Sequence, residues 1–172
     1  MKITSAYANK LLRKLNDEHD RLLSEENQIK RYIVTANDTE EDKDIAQPDY
    51  NFTKTQEDLA EIERKIRLIK HAICVFNTTT TIEVGGKEYT IDEALVLLPQ
   101  LNARLNKYRE MSGRQQVSKT IGYEGVAQYT FCNYEVADAK ELYNTTTNLV
   151  FEIQTALDVV NNTTSFEVDV TL

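Results

Sequence analysis

The residues best spaced for chemistry are acids. Asp38, Glu40, Asp42 and Asp44 fall on positions 1, 3, 5 and 7 of a twelve-residue frame that closes at Asp49. Carboxylates at that spacing between two helices are the outline of a calcium loop, whose oxygens wrap a hard cation. Three positions depart from it. Lys43 stands where the sharp turn needs glycine, Asp49 replaces the bidentate glutamate, and Glu40 is long for its slot. The run reads as a solvated acidic connector over 37–52, and no metal is expected there.

Other chemistry is thinner. A di-iron bundle needs Glu-x-x-His pairs on facing helices. His19 and His71 are the histidines, and Asn16 and Leu68 stand three residues before them. His71 and Cys74 lie one helical turn apart, but two ligands do not make a zinc site. Gly122-Tyr123-Glu124-Gly125 lacks the lysine and helix entry of a phosphate loop and reads as a turn. No motif calls for a cofactor. Basic side chains gather at Arg64, Lys65, Arg67, Lys70 and His71, and again at Arg104, Lys107, Arg109, Arg114 and Lys119. The first group reads as a solvated helix face or as one that makes ion pairs with a neighbour's acidic connector. If a small ligand binds, Arg104, Arg109, Tyr123, Glu124 and Tyr129 are the residues to hold it.

The elements that must position these residues are clearer. Ala8, Leu15, Leu22, Ile29 and Ala36 recur every seven residues, with Leu12, His19, Glu26 and Ile33 beside them. This predicts a first helix from about Thr4 to Ala36. A second stripe is Leu59, Ile62, Ile66, Ile69, Ile73 and Phe76. A third is Ala94, Leu95, Leu98, Leu101, Leu105 and Tyr108, with Pro99 inside it, where a kink or break is expected. The fourth is Val136, Ala139, Tyr143, Thr146, Val150, Ile153, Leu157 and Val160. Heptad spacing implies shallow left-handed crossings. Thr53 with Gln56, and Thr90 with Glu93, have the spacing of capping boxes.

Short β patterns lie between the helices. Residues 79–89 read as a hairpin about Gly85-Gly86, since both turn positions can take positive φ. Residues 128–134 alternate as a strand, and Phe166, Val168, Val170 and Leu172 form an alternating C-terminal strand over 165–171 that needs a sheet partner. Residues 112–126, with Gly113, Gly122 and Gly125, read as a loop. The expected fold is mainly α (α+β), with four long amphipathic helices in a bundle or coiled-coil arrangement and a small antiparallel β-sheet. It is read as a single helical domain over 1–172.

Composition narrows the function. At 41% apolar and 28% charged residues the profile is that of an ordinary globular chain. No apolar run approaches the ~18 residues of a membrane span, and Met1–Ser5 leading into a charged helix does not read as a signal peptide, so none is expected. Cytoplasmic residence is the expectation. The net charge of −8 argues against nucleic acid and membranes as partners. Cys74 and Cys132 read as buried thiols.

Three stretches carry a resemblance. They are Ile73-Cys74-Val75-Phe76-Asn77-Thr78, Gly86-Lys87-Glu88-Tyr89-Thr90-Ile91-Asp92-Glu93-Ala94-Leu95, and Ile153-Gln154-Thr155-Ala156-Leu157 running to Asn161-Asn162. Over about residues 55–161 the chain resembles a family of small bacterial helical proteins carried under the name septicolysin. The resemblance implies a helical fold and no established activity. The family's name evokes a pore-forming lysin, but the strand patterns are shorter than the ~9–11 residues a membrane strand needs. The favoured reading is a cytosolic, non-enzymatic structural or interaction protein. It would form a homo-oligomer through Leu15, Leu22, Ile29 and Ile33, with an unknown protein partner also open. The alternative is an enzyme or small-ligand binder with its site at a subunit junction.

Overall fold

The computed structural model describes residues 1–35, 37 and 39–171, leaving aside the side chains of 43–45. The chain forms two compact units, Met1–Phe76 with Asn162–Leu172, and Asn77–Asn161. In order they carry β1 (Lys2–Thr4), α1 (Ser5–Ile29), α2 (Glu40–Ala46), α3 (Phe52–Thr79), β2 (Thr81–Val84), β3 (Lys87–Thr90), α4 (Ile91–Ser112), β4 (Val117–Ile121), β5 (Ala127–Phe131), α5 (Val136–Thr163) and β6 (Ser165–Glu167). The fold is mainly α, with four long helices as the stripes require. The strands form three separate antiparallel pairs, β1 with β6, β2 with β3 and β4 with β5.

In the first unit the stripes of α1 and α3 meet. Ala8, Leu11 and Leu15 share a core with Ile62, Ile69, Ile3, Val168 and Val170, and Leu12, Leu22, Ile66 and Ile73 pack against it. Burying such aliphatic side chains is worth roughly 1.5–3 kcal/mol each, which is what holds α1 to α3. The C-terminal strand finds its partner within the chain. Ile3 faces Phe166 across the β1–β6 pair, and the Val168 N–H donates to the Met1 carbonyl at 2.8 Å. Phe166 stacks on Phe76 with ring centres 4.6 Å apart. Leu172, at the end of that alternation, lies outside the described residues.

Helix α1 stops at Ile29, about two turns before the expected end at Ala36. Thr4 caps its start, accepting the Tyr7 N–H at 3.3 Å. Beyond Ile29 the described chain is non-helical, and Ile33 is 91% exposed. Ala36 is outside the described residues. The expected box at Thr53 is replaced by Asn51, whose side-chain oxygen accepts the Lys54 N–H at 3.0 Å. Gln56 instead donates to Glu26 at 2.8 Å, and Tyr50 donates to the same carboxylate oxygen at 2.5 Å.

The second unit begins with the β2–β3 hairpin. Gly85 and Gly86 take φ of 58° and 73°, the turn that matches strand twist. Ile82 and Val84 are buried on one face. The Thr90–Glu93 capping box forms as expected. Helix α4 then runs unbroken through Pro99, so the expected break is absent. The residue one turn back, Leu95, is exposed, so a carbonyl left without a donor there can turn to water. On α5, Val136, Ala139, Val150, Ile153 and Leu157 are buried as their stripe predicts. Thr145 and Thr147 of α5 donate to the Glu141 and Tyr143 carbonyls, one turn back.

Residues 112–126 are not a loop. They contain β4, which pairs with β5 from Val117↔Phe131 to Ile121↔Ala127. The turn between them closes with the Gly125 N–H on the Gly122 carbonyl at 3.0 Å and Gly125 at φ 73°. That is a three-residue hairpin loop whose last position favours glycine.

Candidate functional site: the β4–β5 ribbon

The register of β4 and β5 sorts their side chains by chemistry. Because side chains alternate along a strand, one face carries Val117, Lys119, Ile121, Ala127, Tyr129 and Phe131. The other carries Ser118, Thr120, Gln128 and Thr130. The ribbon is amphipathic, yet its apolar face is bare. Phe131 is 68% exposed, Tyr129 56% and Ile121 76%. All five residues of β5 are exposed. The cation of Lys119 lies 5.7 Å from the centre of the Tyr129 ring. Such contact shields one face of the ring without burying it.

A two-stranded ribbon of this size is marginal alone in water. This one is fastened at its root. Gln116, just before β4, donates to the Tyr134 carbonyl at 2.9 Å and accepts the Val136 N–H at 3.0 Å. That N–H is one of the open donors at the start of α5. The Tyr134 hydroxyl donates to the Met111 carbonyl, in the last turn of α4, at 2.9 Å. The Cys132 N–H donates to the Gln116 carbonyl at 3.0 Å, and its thiol to Gln115 at 3.3 Å. Desolvation, then the hydrogen bond with Cys132, raises the Tyr134 phenol above its ordinary range. The exposed strands therefore stand on an ordered base set between two helices of the same unit.

The residues singled out by chemistry are scattered. Tyr123 and Glu124 form the ribbon's turn, and Tyr123 is fully exposed. Tyr129 is on the apolar face. Arg104 and Arg109 are exposed on α4, and the Arg109 guanidinium lies 5.9 Å from the Tyr143 ring centre. Open grooves of this unit run beside Tyr89, Asp92 and Val96, and beside Glu83, Phe151 and Thr155; neither includes any of the five. The basic group on α3 has partners on its own helix: Arg64 reaches Glu61 at 2.7 Å, and Arg67 reaches Glu63 at 3.9 Å. Cys74 is exposed rather than buried, because it sits one residue off the Ile69–Ile73–Phe76 stripe.

The acidic frame is also resolved. Its middle is helix α2, not a loop, so Glu40 and Asp42 sit on a helical turn. Asp42 accepts from the Thr39 N–H and hydroxyl at 3.0 and 2.7 Å, which lowers its pKa, the side-chain bond most. A helix turns neighbouring carboxylates outward in several directions and does not wrap a cation. Asp38 and the Asp44 side chain lie outside the described residues, and Asp49 is exposed in the segment before α3. Among the described residues no three His, Cys, Asp or Glu side chains converge on a metal position. Leu15 and Leu22 of the first stripe face the unit's own core, Ile29 is half-buried, and Ile33 projects from the chain beyond α1. Among the described residues no helix is long and apolar enough to cross a membrane.

No family model and no curated protein matches the chain. Among solved structures, a functionally unknown conserved protein from Corynebacterium diphtheriae superposes with a TM-score of 0.56 at 13% identity, covering 97% of this chain and 100% of that one. At that identity the likeness is one of fold.

Proposed function

We propose that the protein is a non-enzymatic, self-associating structural or interaction protein, and that the β4–β5 ribbon is its contact surface. One observation carries this reading: an apolar sheet face left bare on a base ordered by side-chain hydrogen bonds. Exposed apolar faces of this kind on a globular unit mark places where another chain sits. The first-helix stripe, the other source of contacts, is largely occupied inside its own unit. A bacterial cytoplasmic setting and kinship with the septicolysin-named proteins belong to the same proposal. The kinship rests on the three stretches ending at Thr78, Leu95 and Asn162, and the setting on a sequence without a long apolar run.

The ligand-binding alternative draws less support, since none of Arg104, Arg109, Tyr123, Glu124 and Tyr129 lines either of the two grooves of this unit described above. A pore-forming role draws less still, since β4 and β5 have five residues each against ~9–11 for a membrane strand. Sedimentation velocity of the full chain from low micromolar to submillimolar concentration tests the proposal. Growth in mass with concentration is expected. A strict monomer throughout would overturn it.

A further inference from the structure

Resting on that reading, we propose that the free edge of β5 pairs antiparallel with the same edge of a second copy, about a two-fold axis at Tyr129. In an antiparallel pair, successive residues alternately bond to the partner strand and face away from it. The Cys132 N–H donates to Gln116, and the Gly122 N–H to the Val126 carbonyl, at 3.0 and 2.9 Å. The even positions of this strand therefore serve β4. The backbone N–H and C=O of Ala127, Tyr129 and Phe131 point away from it. These are also the residues of the apolar face. Among the described residues β5 pairs with β4 and with no other strand.

The two edges of the ribbon differ in charge, and that difference selects both edge and occupant. Strand β4 carries Lys119 at its centre, the kind of residue that guards an exposed edge. Joining β4 to its own copy about that centre would set lysine against lysine. Strand β5, Ala127-Gln128-Tyr129-Thr130-Phe131, has no charge and no proline. Paired with itself about Tyr129, it sets Tyr129 against Tyr129 and Ala127 against Phe131. Each outward N–H then meets an outward C=O, and the apolar face continues across the junction. Only a strand with the same alternation keeps that face in phase, and a second copy supplies it by symmetry. The guarded β4 edges then end the sheet at four strands, so the assembly closes as a dimer.

A pair of five-residue strands covers less than the ~1,200–2,000 Å² of a stable interface. The dimer is therefore expected to form and dissociate with concentration. The test is sedimentation velocity of the full chain and of Tyr129→Glu, Tyr129→Lys and their equimolar mixture, with helix content and melting checked for each. Tyr129 is exposed, so both variants should fold like the parent. The parent should pass from monomer to dimer, each variant should lose association by about tenfold or more, and the mixture should recover it as opposite charges meet at the axis. Tyr129→Pro, which removes an outward N–H and no bond to β4, should also dissociate the dimer. Variants that associate like the parent would overturn the β5 edge while leaving self-association standing. Dissociation with no recovery in the mixture would overturn pairing about Tyr129. A monomeric parent would overturn both proposals.

Discussion

The side-chain oxygen of Gln116 accepts the N–H of Val136, twenty positions later, at 3.0 Å. The same amide donates to the carbonyls of Tyr134 at 2.9 Å and Cys132 at 3.4 Å. One side chain thus ties the root of the ribbon to the first turn of α5. Gln116→Ala leaves that N–H open, a loss of about 1 kcal/mol by analogy with other helix caps. The expected result is a slightly lower melting midpoint and faster hydrogen exchange through β4 and β5, with α4 unaffected. Unchanged exchange in the strands would mean the ribbon is held by its own ladder.

The start of α4 carries a pH dependence. Glu93 accepts the Thr90 N–H at 2.7 Å and its hydroxyl at 2.9 Å, and these bonds, the backbone one first, hold its carboxyl below the ordinary 4.5. A depressed folded pKa contributes stability above the unfolded value and loses it as pH falls through the folded one. Acid melting curves should therefore be flatter for Glu93→Gln than for the parent below the ordinary carboxylate range. Thr90→Ala should cost about 1 kcal/mol at neutral pH. Equal acid slopes would remove the box as a contributor.

How much of this was legible depended on the length of each pattern. Long stripes such as Leu59–Phe76 overdetermine a helix, and Gly85-Gly86 with Thr90–Glu93 marks a turn and a cap within nine residues. Strand β1 is three residues long and shows no period by itself. The alternation of β4 is hidden by Lys119, a charged residue on the apolar face. The heptad of the first helix continues in sequence past Ile29, but a stripe needs a facing partner, and position is not readable from one strand of sequence. Tyr129 was identifiable as a candidate; that its backbone faces outward follows only from the register.

The Glu26 carboxylate joins α1 to the segment entering α3, through Tyr50 and Gln56. The bond to Glu26 pushes the Tyr50 phenol up to about 12 from 10.0. A raised folded pKa contributes stability that is complete below the unfolded value and lost as pH rises through the folded one. Between about pH 10 and 12 the parent should lose stability that Tyr50→Phe has already lost at pH 7. Denaturant melts across that window check it. A Tyr50→Phe variant with the parent's alkaline slope would place the loss elsewhere.

Leu22 separates the two surfaces that could join copies of this chain. It packs against the first unit's core while Tyr129 stands on the ribbon of the second. Leu22→Asp puts a carboxylate where an aliphatic chain was half-buried, which costs about 1–3 kcal/mol of stability. For a chain of this size the melting midpoint should fall by roughly 2–4 °C per kcal/mol. Self-association measured well below that midpoint should equal the parent's, because the substitution leaves β5 untouched. A Leu22→Asp protein that stays folded but sediments as a monomer would move the contact to the α1 stripe and leave the ribbon without a role in assembly.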